Sequence, residues 1–74
     1  MLNDIIENIN GKYLIKIRQE LRMSQKACAN FLGISQSYVS RLERKLNFTN
    51  KDKAIISRIF VLFFDKKVDE VVYG

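Results

Sequence analysis

The chain has no proline, no histidine, three glycines and a single cysteine, Cys28. With so few breakers, little interrupts a helix, which favours helices joined by short turns. A lone cysteine excludes an internal disulfide and gives no sign of an oxidising compartment. Without histidine, and with one thiol, the usual ligand set of a zinc site cannot be assembled. No nucleophile–base pairing and no glycine loop to cradle phosphate is visible, so an enzyme is not expected, nor a cofactor. Long apolar runs are missing too. The longest unbroken one covers residues 59–64, against about 20 for a membrane span. Asp4 and Glu7 stand where a signal peptide would carry a basic leader. The expectation is a cytoplasmic protein with no membrane partner and no small-molecule ligand.

What is present is enough apolar material for one small core. The 74 residues, 47% hydrophobic and 28% charged, read as a single domain over 1–74 and not as a disordered tail. A chain of this size buries only about 60% of its unfolded surface, so tight packing or oligomerisation is needed. The net charge of +5 is unevenly placed. Residues 12–58 hold eleven Lys/Arg against Glu20, Glu43 and Asp52, a balance of +8, while the first eleven sum to −2 and the last sixteen to −1. Positive charge concentrated mid-chain suits a polyanionic partner. A solvated basic surface would give the same balance.

Leu2, Ile5, Ile6 and Ile9 recur at helical spacing, which predicts a short helix before the Asn10–Gly11 break. Leu14, Ile17 and Leu21 continue the pattern in a second helix over about 12–22. Ser24 is an N-cap for a helix from Gln25 to Leu32, and Gly33 stops it, since glycine takes positive φ without steric cost. Ser35 then caps a helix over about 36–44 that sets Val39 and Leu42 on one face. Two short helices around a glycine turn are a helix-turn-helix signature. Thr49 and Asp52 have the spacing of a capping box for a helix over about 50–64. Val68, Val71 and Val72 follow in a tail read as one helical turn or a short strand. The fold class is all-α: a compact bundle of four to five short helices.

Residues 24–44, SQKACANFLGISQSYVSRLER, closely resemble the helix-turn-helix of the lambda Cro/cI repressor family, also called the XRE family. The likeness extends from Gly11 to Val72. Several positions agree at once: Gln25 opens the first helix, Ala29 is small where a larger side chain would force the pair apart, and Gly33 makes the turn. Ile34, Val39 and Leu42 fill the core beneath. The resemblance implies base contacts at Gln36, Ser37 and Arg41, with Ser40 beside them. Gln can pair with an adenine edge and Arg with a guanine edge, both in bidentate fashion. Gln25, at a helix N-terminus, fits a phosphate, and the family implies that it also braces Gln36. Lys26, Tyr38, Arg44, Lys45 and Lys51 are the further phosphate candidates, though any could be a solvated charge or, for Tyr38, a packed ring. Arg18 and Glu43 match family positions that form a supporting salt bridge. Cys28 replaces a usual Leu and reads as a small buried thiol, not a redox sensor.

Three departures from the pattern stand out. Arg22 sits where a glycine is common, which implies a left-handed backbone. Lys45 stands where a glycine commonly ends the recognition helix, and the proline that often follows is absent, leaving the 45–50 loop open. The last helix also carries two apolar stripes, Ile55/Ile59/Leu62 and Ile56/Phe60/Phe63/Phe64. One closes the core. The other is either covered by the helix over 2–9 or used, at Ile56, Phe60, Phe63 and Phe64, as a homodimer interface, which is the preferred reading. The whole points to a Cro-like or controller-type transcriptional regulator of bacterial or phage origin, reading an inverted-repeat operator in double-stranded DNA. The alternatives are an antitoxin or adaptor of the same fold working by protein contacts, and a nucleic-acid binder without sequence preference.

Overall fold

The computed structural model describes residues 10–73, the side chains of 70–73 excepted. Four helices follow in order: α1, Gly11–Glu20; α2, Gln25–Leu32; α3, Gln36–Leu42; α4, Asn50–Tyr73. No strand occurs among the described residues. The segment 2–9, with its expected helix, lies outside them.

The first three helices start where a short polar side chain can take up a free backbone N–H. Asn10 accepts from Lys12 N at 3.0 Å, Ser24 from Ala27 N at 3.0 Å, and Ser35 from Tyr38 N at 3.1 Å. The fourth starts on a reciprocal box. Thr49 N donates to Asp52 Oδ2 at 3.0 Å, and Asp52 N donates to Thr49 Oγ1 at 3.1 Å.

Two helices end alike, with different residues at the critical place. After α2, Gly33 sits at φ +71 and lets Ile34 N reach back to Ala29 O at 3.0 Å. After α1, Arg22 takes the same left-handed turn at φ +57, and Met23 N reaches Arg18 O at 3.0 Å. Arg22 is the only non-glycine with positive φ among the described residues. Lys45 therefore needs no glycine: α3 ends at Leu42 with Glu43 in ordinary right-handed geometry, shorter than the 36–44 expected from sequence.

One cluster of buried side chains joins all four helices. Leu14 and Ile17 come from α1; Cys28, Ala29 and Leu32 from α2; Val39 and Leu42 from α3; Ile56, Ile59 and Phe60 from α4. Phe48, from the loop before α4, closes it. Gly11 brings α1 against the end of α3 so tightly that a Cβ there would lie 2.4 Å from the backbone of Leu42 and Glu43. Its N–H donates to Lys45 O at 2.8 Å. No larger residue fits that approach.

Two sequence expectations need correction here. The last helix does not stop near residue 64 but runs on through the supposed tail to Tyr73, 24 residues in all. Nothing in that stretch breaks it, and α1 holds it: Lys66 Nζ donates to Glu20 O at 3.2 Å, and Lys67 pairs with the Glu20 carboxylate at 3.6 Å. Ile56 and Phe60 are also not free for a partner. They are 0% and 3% exposed, because α4 is wedged between α1 and α2 with these two side chains inward, while Phe63 of the same stripe is half-buried and Phe64 exposed.

A left-handed non-glycine residue costs about 1–2 kcal/mol, offset in part by glycine's larger chain entropy. Arg22→Gly should therefore raise stability by up to about 1 kcal/mol, seen as a higher midpoint in urea unfolding with an unchanged slope. A lower midpoint would mean that the arginine side chain contributes more than its backbone costs.

Candidate nucleic-acid interface

α3 is only seven residues long, too short to hold itself together in water. Its surroundings impose its shape. Val39 and Leu42 are fully buried on its inner side. The helical repeat then turns Ser37 and Arg41 outward, with Gln36 and Ser40 flanking them. Gln36, Ser37 and Arg41 are exposed, and Ser40 is half-buried.

A buried carboxylate secures each side of this helix. At its end, Glu43 is 7% exposed and accepts from two other helices. Arg18 Nε donates to Oε2 at 2.6 Å and Nη2 to Oε1 at 3.3 Å, while Gln25 Nε2 donates to Oε1 at 2.9 Å. Arg18 Nη1 also donates to Met23 O at 3.0 Å, tying down the strained turn at Arg22. The amide nitrogen of Gln25 is thus directed at Glu43, not at Gln36. Cys28 lies beneath this pair. Burial pushes its thiol up, and the Glu43 carboxylate adds to that against the opposing pull of Arg18.

On the other side, Asp52 is 1% exposed and collects three donors. Tyr38 Oη donates to Oδ1 at 2.8 Å, and Lys45 Nζ and Thr49 N donate to Oδ2 at 2.5 and 3.0 Å. Burial works to raise this carboxyl. The hydrogen bonds from Lys45, Thr49 and Tyr38 outweigh it and hold the group well below the ordinary carboxylate range. Accepting that bond, Asp52 in turn raises the Tyr38 phenol. The single proton of Tyr38 is therefore directed inward, which removes its hydroxyl from the donors open to a phosphate. Lys45 uses one of three protons in the same way.

Sequence reasoning read Asp52 only as half of a capping box and passed over Phe48. The signal for both was present: an aspartate flanked by lysines just before an apolar helix, and a lone aromatic in a polar loop. The cations left facing outward around α3 are Lys26, Arg44 and Lys51, all exposed, with Arg41 lying over the Tyr38 ring at 5.2 Å from its centre. No buried side-chain polar atom among the described residues lacks a hydrogen-bond partner. Among the described residues, no group of acidic, cysteine or histidine side chains could hold a metal ion, and no helix is long and apolar enough to cross a membrane.

A helix-turn-helix family model matches residues 14–59, more than half of the chain. The chain belongs to this family, in its Cro/cI (XRE) form, and is a DNA-binding regulator of the all-α helix-turn-helix class. Neither a search of curated proteins nor one of solved structures finds a match.

Asp52 is bound as an anion in the folded state, so its contribution is present above the unfolded carboxylate pKa and is lost as pH falls toward the depressed folded value. Stability should hold from neutrality to about pH 4 and fall below it. Asp52→Asn should lower stability at pH 7 by about 1–3 kcal/mol and flatten that acid limb. Urea titrations between pH 2 and 7 measure both, and an equally steep limb in the variant would assign it to other carboxylates.

Proposed function

We propose that the protein is a sequence-specific transcriptional regulator that reads the major groove with the outer face of α3. The observation that carries this reading is the contrast between the two sides of that helix. Everything inward is packed or hydrogen-bonded, and Gln36, Ser37 and Arg41 are left exposed without a structural task apart from the Arg41–Tyr38 contact. A helix fits the major groove, and residues of its first turns reach the base edges. Gln36, Ser37, Ser40 and Arg41 are the proposed readers. The N-terminus of α2 with Gln25, together with Lys26, Arg44, Lys45 and Lys51, neutralises the flanking phosphates. The alternative of a masking protein that works through apolar contacts leaves this polar outward face without a role.

Arg41 and Lys26 test the division of labour. Arg41→Ala should cost about 1–3 kcal/mol on the selected operator and relax preference at one base pair per half-site, while random DNA is bound nearly as before. Lys26→Ala should weaken all duplexes by one factor and reduce the salt slope by about one unit per protomer. Selection from a random pool supplies the operator, and a salt series on operator and random duplexes supplies the comparison. Equal loss on both duplexes for Arg41→Ala would make it a backbone contact.

The reading includes a homodimer, with a seam different from the one expected at sequence level. Phe64, Val61 and Val68 are 38%, 48% and 59% exposed. They share one face of α4 with Ala54 and Ser57, at alternating spacings of three and four. That face is self-complementary. Antiparallel pairing about a two-fold axis near Val61 sets Val61 on itself, Phe64 against the small Ser57 of the second copy and Val68 against its Ala54. Such a dimer reads an inverted repeat with recognition helices about 34 Å apart. Val61→Glu with Val68→Glu should give a folded monomer with much weaker operator binding, measured by sedimentation and gel shift. An unchanged dimer would move the interface off α4.

A further inference from the structure

Arg41 is exposed, yet its guanidinium carbon lies 5.2 Å from the centre of the Tyr38 ring, one helical turn back along α3. At that distance the cation sits over the ring face, which holds it by its quadrupole. The ring itself is not free to turn away. Its hydroxyl is bound to Asp52 Oδ1 at 2.8 Å, and Asp52 is fixed by the start of α4 through Thr49 and by Lys45. Resting on the reading of α3 as the recognition helix, we propose that Tyr38 is a positioning residue. Anchored by Asp52, its ring is the platform that sets how Arg41 approaches a guanine edge.

Two features of the cluster support this assignment. First, the carboxylate is already engaged. Lys45 and Thr49 N donate to Oδ2 and Tyr38 to Oδ1, Lys45 balances its charge, and Asp52 is 1% exposed. The guanidinium therefore stays outside the cluster with its donors free. Second, an unsupported arginine loses several rotatable bonds on docking, whereas one already resting on a ring loses fewer. A planar fork that must meet two acceptors at once gains most from such support. The chain of contacts runs from the N-terminus of α4, through Asp52 and Tyr38, to a side chain at the proposed interface. Base preference is thus coupled to the packing of α4 against α3.

The test is a double-mutant cycle on discrimination, meaning the affinity for the selected operator divided by that for a duplex altered at the base pair Arg41 reads. Tyr38→Leu removes the ring and should lower discrimination about two- to fivefold, the equivalent of an exposed cation–π contact. Tyr38→Phe keeps the ring but frees its far end, and should lower discrimination by a smaller factor. In an Arg41→Ala background neither change should alter discrimination further. Thermal melts identify a temperature at which every variant is folded. Loss of stability alone would weaken all duplexes together and leave the ratio unmoved. The proposal is overturned if both Tyr38 variants discriminate like wild type, or if their effect survives removal of Arg41. A wild-type protein with no preference between operator and random DNA would instead overturn the reading of α3 itself.

Discussion

The carboxylate of Glu43 is where three helices are held in register. It ends the shortest helix, receives the guanidinium of α1 and the amide of α2, and is closed off from water by them. A buried charge is tolerated only when it is paired and fully hydrogen-bonded. This one therefore cannot move independently of Arg18 and Gln25. The adjoining backbone is equally constrained, since Gly11 lies directly against the same turn of α3. Any shift of α3 along its axis would break the ion pair or drive two backbones together.

The arrangement answers a difficulty that any short helix with a polar outer face meets. Seven residues that must present polar groups outward have only two fully buried apolar side chains, Val39 and Leu42, to hold them in place. Charge-assisted hydrogen bonds supply what the small apolar area does not. They are also directional, which matters more here than their strength. Two carboxylates from different elements, Glu43 and Asp52, fix the rotation of α3 about its axis, and that rotation decides which side chains face outward.

The helix-turn-helix was legible because each of its signals is local. Ser24, Gly33 and Ser35 act within a few residues of themselves, and Val39 and Leu42 follow a simple period. The position of Arg22 was legible for the same reason, from a backbone need that glycine usually meets. What sequence could not reveal depends on distant pairs. The true length of α4 follows from Lys66 and Lys67 meeting Glu20 across the molecule. The burial of Ile56 and Phe60 follows from how α4 is wedged against α1 and α2, and two apolar stripes look the same whether one or both are covered. The inward turn of Tyr38 was hidden likewise, since a tyrosine near a recognition surface fits a phosphate contact as well as a buried carboxylate.

The buried thiol of Cys28 has a practical consequence. It is fully enclosed beneath the Arg18–Glu43 pair, and burial keeps it protonated. Only the thiolate reacts with alkylating or disulfide reagents. Modification therefore has to wait until α2 leaves the body and the sulfur meets water. The chain carries one cysteine and no other thiol to confuse the signal. In the purified protein its rate of labelling is a clock for domain opening, with no engineered cysteine needed. The same enclosure shields this thiol from oxidants while the protein is folded.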